Sequence, residues 1–273
     1  MTPVLISAKH KAVIVPLHEA VKNLFPDAKS IDLDTGPHLI VPHAPAESFM
    51  LRRLDFDVPA PILSHYDWPH PPGKPPFDVQ RKTAALLTNH KRAYVLNGMG
   101  TGKTKASLWS WHYLRSNGLA GKLLVIAPLS TLRFTWEREV FHLFPNMTVS
   151  ILHGSKEQRQ KRLAADADIY VINHDGATTI LDELLAHKEI DTVIIDELAV
   201  YRNARTVRTK TAMKLVKKMQ WAWGMTGSPI PRSPTDAYAQ VQLMTPERAP
   251  RSFTMFRDEV MTKLTNFKWL PRP

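Results

Sequence analysis

The chain has 273 residues, 44% of them hydrophobic, and a formal net charge of +11. Its length predicts one large or two smaller domains of an ordinary globular protein. The sequence contains no cysteine, which excludes disulfides and cysteine-ligated zinc or iron–sulfur sites. No apolar run reaches the roughly 18 residues of a membrane-spanning helix, and the first residues lack the pattern of a secretory signal. We therefore expect a cytoplasmic protein without a membrane partner.

The first 58 residues alternate short apolar runs with polar ones. Two strands are predicted over residues 12–15 and 39–41, and two short helices over 20–25 and 48–54. This pattern predicts a small accessory α/β unit, and it contains no recognisable catalytic motif.

Residues 59–76 contain seven prolines. Proline fixes its own backbone angle and removes a hydrogen-bond donor, so this segment is predicted to be neither a helix nor a central strand. It is expected to form a semi-rigid connector. Its two large aromatic residues, Tyr66 and Trp68, are expected to pack onto a neighbouring domain.

From residue 77 onward, strand and helix patterns alternate. This alternation predicts an α/β lobe over residues 77–273, with a mostly parallel sheet covered on both faces. The predicted strands are 93–96, 122–127, 149–152, 169–172, 192–195 and 221–225. The predicted helices are 77–89, 105–117, 131–144, 155–165 and 206–219.

Residues 97–104, Asn-Gly-Met-Gly-Thr-Gly-Lys-Thr, lie between a predicted strand and a predicted helix. A glycine-rich turn in that position exposes backbone N–H groups at a helix N-terminus, which favours phosphate. The spacing is that of a phosphate-binding loop, with Lys103 directed at the outer phosphates of ATP and the Thr104 hydroxyl at Mg²⁺. Asn97 departs from the pattern, which has glycine there. The alternative is a chance glycine-rich turn.

A second nucleotide-site element follows the apolar run 193–195, which ends in the adjacent carboxylates of Asp196 and Glu197. Ligands of open α/β sheets bind outside the carboxyl ends of the strands, so both side chains should emerge beside the phosphate loop. Asp196 is then suited to hold Mg²⁺ and Glu197 to activate the attacking water. The alternative is a solvated strand end.

Basic residues are concentrated in the part of the chain that carries these motifs. Residues 1–72 have six Lys or Arg against eight Asp or Glu, whereas the remainder has 30 against 17. Residues 198–235 contain no acidic residue, and the spacing of their cations predicts a basic helix face that binds DNA or another acidic partner. A solvated face is the alternative. The cations are Arg202, Arg205, Arg208, Lys210, Lys214, Lys217 and Lys218.

Three further segments complete a recognisable order of motifs. Residues 77–80 end in Gln80, residues 127–136 run from Ala-Pro-Leu-Ser-Thr to Trp136, and residues 225–230 read Met-Thr-Gly-Ser-Pro-Ile. This order resembles the first RecA-like lobe of superfamily 2 helicases. The resemblance is closest to Swi/Snf-type translocases of double-stranded DNA, particularly their compact phage and prophage forms, and it covers residues 77 to about 260.

The resemblance implies a role for each segment. Gln80 would read the adenine of ATP, although a surface helix residue is the alternative. Ser130 and Thr131 would bind a DNA phosphate, and the same two residues could also cap a helix. Trp136 is expected to be a core residue. The phosphate cradle would comprise Gly98, Met99, Gly100, Thr101, Gly102, Lys103 and Thr104, and the turn that couples ATP to DNA would comprise Thr226, Gly227 and Ser228.

One position departs from the family pattern. The carboxylate motif of the family continues Asp-Glu-Ala-His, whereas Leu198 and Ala199 follow the carboxylates here. The family histidine commonly links the ATP site to the coupling turn. Its replacement by Ala199 leaves that route without its usual side chain.

These motifs together predict a DNA-dependent ATPase lobe that uses ATP and Mg²⁺ and acts on duplex DNA in a bacterial or phage-infected cytoplasm. The alternatives are a single-lobe ATP- or DNA-binding clamp and, more distantly, a small-molecule kinase. Only 44 residues follow Pro229, too few for another α/β lobe. We therefore expect slow turnover, a second RecA-like lobe in cis or in trans, and a linker at residues 269–273.

Overall fold

A computed structural model of the chain describes residues 2–265 and 268–272. Within this part of the chain there are three sheets: four antiparallel strands near the N-terminus, six parallel strands in the middle, and a two-stranded hairpin near the C-terminus. The six-stranded parallel sheet confirms the predicted α/β class. No helix of the described ranges is both long and apolar enough to cross a membrane.

The N-terminal sheet has the strand order β1-β2-β4-β3. Alternate residues of β2 and β4 face inward because strand side chains alternate in direction, and they pack beneath two short helices. The predicted elements are present, and β1 and β3 are additional. The bounds are β1 Leu5–Ser7, β2 Ala12–Pro16, α1 Glu19–Leu24, β3 Lys29–Leu33, β4 Gly36–Pro42 and α2 Pro45–Arg53.

The proline-rich segment contains a short helix, α3 (Pro61–His65), so the prediction that it has no helix is wrong. Pro61 is in the first turn of α3, where the missing N–H has no intrahelical partner to lose. Tyr66 and Trp68 pack edge-to-face on aromatic residues of the central lobe, as predicted. The segment is therefore attached to the lobe through these two aromatic residues.

The central sheet has the order β5-β10-β9-β6-β8-β7, and all of its strands are parallel. Two of its neighbours in space, β9 and β10, are separated in sequence by a helix. The carboxyl ends of β5, β10 and β9 therefore lie side by side. The strands are β5 Arg92–Val95, β6 Lys122–Ala127, β7 Val149–Leu152, β8 Ile169–Asn173, β9 Ile190–Asp196 and β10 Trp221–Met225.

Helices cover both faces of this sheet. In β6, Leu123 and Val125 face one hydrophobic layer while Leu124 and Ile126 face the other, which explains why the strand is apolar throughout. The helices are α4 Asp78–Asn89, α5 Lys103–Ser116, α6 Arg138–Leu143, α7 Lys156–Ala164, α8 His174–Thr179, α9 Leu181–Ala186 and α10 Val207–Lys218.

The predicted helix over 131–144 is present, but it is not an α-helix throughout. Its first part, Leu132–Glu137, is a π-helix, and α6 follows directly. Two helices, α8 and α9, were not predicted because each has only six residues and no clear amphipathic period. A 3₁₀ turn, Leu198–Tyr201, follows β9.

The last part of the chain adds two helices, α11 (Ala237–Met244) and α12 (Phe253–Val260), and a hairpin of β11 (Met261–Lys263) and β12 (Trp269–Pro271). The guanidinium of Arg257 lies 3.9 Å from the ring centre of Trp269. Cation–π stacking of this kind favours the folded hairpin. The prediction of a linker over 269–273 is wrong for residues 269–271, which form β12; Pro273 lies outside the described residues.

Candidate nucleotide site and basic surface

The loop of residues 97–102 lies between the end of β5 and the start of α5. Gly100 and Gly102 adopt left-handed backbone angles, with φ of 75° and 77°, which side chains other than glycine rarely adopt. A Cβ atom added to Gly98 or Gly100 would meet no atom within 4 Å. The space beside these two glycines is therefore open.

Lys103, the first residue of α5, folds back over this loop. Its ammonium group donates to the carbonyls of Asn97 at 2.8 Å and Gly98 at 2.9 Å. The Thr101 hydroxyl donates to the same Gly98 carbonyl at 2.9 Å. The lysine is thus held at the loop by exchangeable hydrogen bonds, whereas Met99 at the loop tip is 92% exposed. Thr104 follows in the first turn of α5.

Asn97, which stands where the pattern has glycine, has a structural contact of its own. Its side-chain amide donates to the Thr83 hydroxyl at 2.7 Å, and Thr83 belongs to α4. The same helix carries Gln80, whose amide nitrogen lies only 2.0 Å from where a Cβ at Gly102 would be. Asn97 therefore connects the loop to α4, a contact that glycine could not make.

Gln80 is buried, so the alternative of a surface helix residue is wrong. Its side-chain oxygen accepts from the Phe77 N–H at 2.9 Å and closes the N-terminus of α4. The amide nitrogen is the part of the side chain nearest the phosphate loop. Gln80 thus lies beside the glycine-rich loop, and its side-chain oxygen is already bonded.

Asp196 is the last residue of β9, and both of its carboxylate oxygens accept hydrogen bonds. The Trp136 indole N–H donates to one at 3.1 Å, and the Glu197 backbone N–H donates to the other at 3.0 Å. Burial raises the pKa of Asp196, while these two bonds and the nearby charge of Lys103 act against the rise. Trp136 was predicted to be a core residue, and it is fully buried, but its contact with Asp196 was not anticipated.

Glu197 has a left-handed backbone, with φ of 54° and ψ of 57°. This conformation costs a residue with a side chain about 1 kcal/mol or more, and such positions cluster at functional sites. The sharp turn directs the carboxylate toward the end of β10, where the Thr226 hydroxyl donates to it at 3.0 Å. The two adjacent carboxylates are therefore held by different neighbours.

The predicted coupling turn lies between the phosphate loop and the carboxylates. Thr226 is fully buried, and its N–H donates to the Val95 carbonyl at 3.1 Å. Its hydroxyl, bonded to Glu197, also accepts from the Ser228 N–H at 3.2 Å. A Cβ at Gly227 would lie 2.9 Å from the Met99 side chain, so glycine permits the close approach.

These contacts bear on the missing family histidine. Ala199 is buried in the 3₁₀ turn after Glu197, and the preceding Leu198 packs against Gly224 of β10. The bond between Thr226 and Glu197 links the carboxylates to the coupling turn without a side chain at position 199. The structure therefore contains a direct link where the sequence lacked the usual one.

The residues present fit Mg²⁺. A carboxylate offers about four lone-pair sites, so the two N–H groups on Asp196 leave room for a further ligand. Mg²⁺ prefers oxygen ligands and is usually held by one or two carboxylates together with phosphates. Over the described ranges, no group of three or more His, Cys, Asp or Glu side chains could hold a metal ion alone, so phosphates, the Thr104 hydroxyl and water would supply the other ligands.

Ser130 and Thr131 lie just after β6, at the opening of the π-helix. The Thr131 hydroxyl and N–H both bond to the Pro128 carbonyl, at 2.9 and 3.0 Å, which forms a tight turn. Ser130 is exposed and borders a groove of about 230 Å³ that Arg133 and His153 also line. The groove offers polar and cationic groups to a phosphate backbone.

The cations after β9 are divided between the predicted helix, α10, and the segment that precedes it. Arg202 and Arg205 precede α10. Together with Arg232 they line an open groove of about 500 Å³, which we call the arginine groove. Arg232 was not identified from the sequence because it lies 27 positions after Arg205.

Two of the predicted DNA-facing cations have partners inside the protein. Arg208 forms two bonds to the Asp175 carboxylate, at 2.6 and 2.9 Å, so the prediction that no acid neutralises these cations is wrong for Arg208. Lys218 donates to carbonyls at the end of α9, at 3.0 and 2.5 Å. The remaining lysines of α10 are exposed at spacings of four and three: Lys210, Lys214 and Lys217.

Arg159 is a further cation that sequence reasoning missed. It is buried, and its guanidinium donates to the Gly154 carbonyl at 2.9 Å and the Asn173 side chain at 3.1 Å. It thereby joins the loops that follow β7 and β8. Gly176 packs closely against it. These loops adjoin the surface that carries Asp175.

Comparison with known proteins supplies independent findings. A family model described as the SNF2-related domain matches residues 83–268. The "ATP-dependent DNA helicase DDM1" of Arabidopsis thaliana is 27% identical over 173 residues, which are 60% of this chain and 22% of that protein. The "Putative protein p41" of Acyrthosiphon pisum secondary endosymbiont phage 1 is 31% identical over 186 residues, which are 63% of this chain and 40% of that protein.

A solved structure shares the fold. The "Sulfolobus solfataricus SWI2/SNF2 ATPase core in complex with dsDNA" superposes with a TM-score of 0.55 and 23% identity, covering 70% of this chain and 40% of that one. The chain thus spans well under half the length of these relatives.

Proposed function

This chain belongs to the SNF2-related domain family, and from that premise we propose that it is the ATP-binding lobe of a DNA-dependent ATPase that moves on duplex DNA. The observation that carries the proposal is the bonded connection between three motifs. Thr226 bonds both to the strand that leads into the phosphate loop and to Glu197, at 3.1 and 3.0 Å. A nucleotide between the loop and the carboxylates would contact all three motifs at once.

The phosphate loop would bind ATP by exchanging hydrogen bonds. Lys103 would transfer its ammonium donors from the Asn97 and Gly98 carbonyls to phosphate oxygens, at little cost because one set of acceptors replaces another. Gln80 would turn its free amide nitrogen toward the adenine. The backbone N–H groups of the cradle would face the phosphates: Gly98, Met99, Gly100, Thr101, Gly102, Lys103 and Thr104.

The carboxylates would divide the remaining work. Thr104 and Asp196 would hold Mg²⁺, which when bound neutralises charge on the phosphates. Glu197 would orient the attacking water and accept its proton. The turn of Thr226, Gly227 and Ser228 would fix the Glu197 carboxylate, because the Thr226 hydroxyl donates to one of its oxygens and limits the rotation of the carboxylate.

Duplex DNA is the proposed partner. Ser130 and Thr131, just after the carboxyl end of β6, would hold one phosphate. Further phosphates would be held by Arg202, Arg205 and Arg208. Arg208 would have to leave Asp175 first. Contacts to the backbone rather than to base edges would give binding with little sequence preference. Such a partner is consistent with action at nucleoid or phage DNA in the cytoplasm.

We further propose that a second RecA-like lobe, in cis or in trans, completes the site. Among the described residues there is one parallel sheet with nucleotide motifs. Motors of this type are expected to receive arginines from a facing lobe, and such an arginine contributes on the order of 10³–10⁵-fold in rate. The lobe alone should therefore bind ATP and hydrolyse it slowly.

Calorimetry and steady-state ATPase measurements test the proposal. Wild type should bind ATP in the presence of Mg²⁺. Asp196→Asn should weaken the Mg²⁺ dependence of that binding, and Glu197→Gln should spare binding while lowering hydrolysis about 100-fold or more. ATP binding that is indifferent to Mg²⁺ and to both substitutions would refute the assignment. Fast DNA-stimulated turnover by this chain alone would refute the need for a second lobe.

A further inference from the structure

The π-helix Leu132–Glu137 is an unusual element at a notable place. The Arg138 N–H donates to the carbonyl of Arg133, five residues back, instead of the usual four. Single π-turns are rare, and they occur frequently at functional sites. This one starts directly after the exposed Ser130 and the half-buried Thr131, and it ends at α6.

Trp136 belongs to this π-turn and contacts the nucleotide site. Its side chain is fully buried, and the indole N–H donates to an Asp196 carboxylate oxygen at 3.1 Å. A buried indole N–H needs an acceptor. Here the acceptor is the carboxylate proposed to hold Mg²⁺, although backbone carbonyls serve the other buried indoles of the lobe, such as Trp111.

The geometry limits how Asp196 can turn. One oxygen is held by the Glu197 N–H of its own chain segment, and the other by Trp136 from a different layer of the fold. Only the second bond depends on the position of the π-turn. A shift of the π-turn would therefore change the orientation of Asp196 without moving β9.

We propose that Trp136 is a positioning residue for Asp196 and that the π-turn relays DNA occupancy at Ser130 and Thr131 to the Mg²⁺ site. This inference rests on the proposed function. A phosphate bound at Ser130 would pull on the first residue of the π-turn, and the stiff turn would move the indole relative to the carboxylate. DNA binding would thereby adjust the metal ligand through five residues of one helix.

The first experiment uses Trp136→Phe, which keeps an aromatic ring in the core and removes only the N–H donor. Trp111→Phe is the matched control, since Trp111 is also fully buried and its indole donates to the Gly121 carbonyl at 3.0 Å. Calorimetry would measure ATP affinity as a function of Mg²⁺ concentration. Loss of a bond that orients a metal ligand typically weakens metal affinity on the order of 10-fold or more.

We expect Trp136→Phe to raise the Mg²⁺ concentration needed for half-maximal binding by about that factor, while Trp111→Phe leaves it unchanged. An equal Mg²⁺ requirement in both variants would overturn the positioning role. If wild type itself does not bind ATP with Mg²⁺, the proposed function fails first, and the two failures are thus distinguishable.

The second experiment uses the wild-type chain, so it does not depend on the folding of any variant. NMR of ¹⁵N-labelled indoles would follow Trp136 and Trp111, assigned through their sequential and through-space contacts, as duplex DNA is added without nucleotide. We expect the Trp136 indole signal to shift and the Trp111 signal to stay. Addition of DNA that binds without moving the Trp136 signal would overturn the relay.

Discussion

The nucleotide site and the basic surface after β9 contrast in how their residues are held. In the nucleotide site, segments far apart in sequence bond to one another, as Thr226 does to Glu197 and Trp136 to Asp196. On the basic surface the cations have separate surroundings: Arg208 is paired with Asp175, whereas Arg205 is exposed. Both carboxylates proposed to act on ATP are thus held by neighbours, whereas on the surface proposed to bind DNA some cations, such as Arg208, are held and others, such as Arg205, are exposed.

Removal of the Lys103 side chain should have the largest effect, and the quantity affected is the affinity for a triphosphate. Lys103→Ala deletes the only side-chain ammonium that bonds to the phosphate loop among the described contacts. Charge-assisted bonds of this kind contribute about 1.5–3 kcal/mol, so triphosphate affinity should fall on the order of 10- to 100-fold by calorimetry. Lys105→Ala, two residues on in the same helix, is the control. Unchanged affinity in Lys103→Ala would show that the loop does not bind phosphate.

The stability of the folded chain should depend on pH through the buried side chain of His174. Burial, assisted by the charge of Arg208, lowers the pKa of His174 from 6.5 to about 4, and its buried Nε2 atom has no hydrogen-bond partner among the described residues. The unfolded chain therefore binds a proton at higher pH than the folded chain. Stability should decline as pH falls from about 6.5 to about 4, by up to roughly 3 kcal/mol from this residue.

Urea unfolding of wild type and His174→Gln across this pH range measures that contribution. Glutamine cannot titrate, so the difference in unfolding free energy between the two proteins should change with pH toward relative stabilisation of the variant in acid. Parallel curves for the two proteins would show that His174 is not buried in its neutral form. The other histidines cancel in the comparison because they are present in both proteins.

Thr226→Val tests the cross-link between the coupling turn and the carboxylates. Valine fills nearly the same space but lacks the hydroxyl that donates to Glu197. We expect turnover to fall about 10-fold, the equivalent of one modest hydrogen bond, with little change in ATP affinity. The control is Thr192→Val, since Thr192 is equally buried and donates to Asp191 at 2.8 Å on the same strand. Similar turnover in both variants would remove Thr226 from the mechanism.

The smallest expected effects concern the salt dependence of DNA affinity, and they should distinguish the exposed Arg205 from Arg208, which is paired with Asp175. Arg205→Ala should flatten the plot of log DNA affinity against log salt by roughly 0.9, one phosphate contact. Asp175→Asn should steepen it, because Arg208 then has no competing carboxylate. Asp182→Asn, an exposed change nearby, controls for net charge. If the slopes of Arg205→Ala and Asp175→Asn equal those of wild type and of Asp182→Asn, the basic surface has a role other than DNA binding.

The motifs of the candidate nucleotide site could be recognised from the sequence because they are local. Each motif can be interpreted from residues close to it in sequence. The motifs are the glycines at 100 and 102, the lysine at the start of α5 and the two carboxylates after an apolar strand. Sequence reasoning also gave the prediction of a coupling turn at Thr226. What it could not give is the bond between Thr226 and Glu197, since β10 and β9 become neighbours only when the sheet assembles.

The errors have a common physical origin. A helix at Pro61–His65 was rejected because prolines were counted without regard to position, although the first turn of a helix accepts them. The neutralisation of Arg208 was missed because Asp175 lies 33 positions earlier in the chain. The role of Asn97 was missed because its partner, Thr83, lies 14 positions earlier on α4.

The sequence alone therefore determined the α/β class, the order of the motifs and the residue types at the phosphate loop and the carboxylates. Backbone propensity, apolar periodicity and the spacing of glycine, lysine and acidic residues carry that information along the chain. The tertiary structure decided which side chains hold Asp196 and Glu197, which cations are paired and which face solvent. Those outcomes depend on distances between segments far apart in sequence, and such distances are set only when the strands and helices pack.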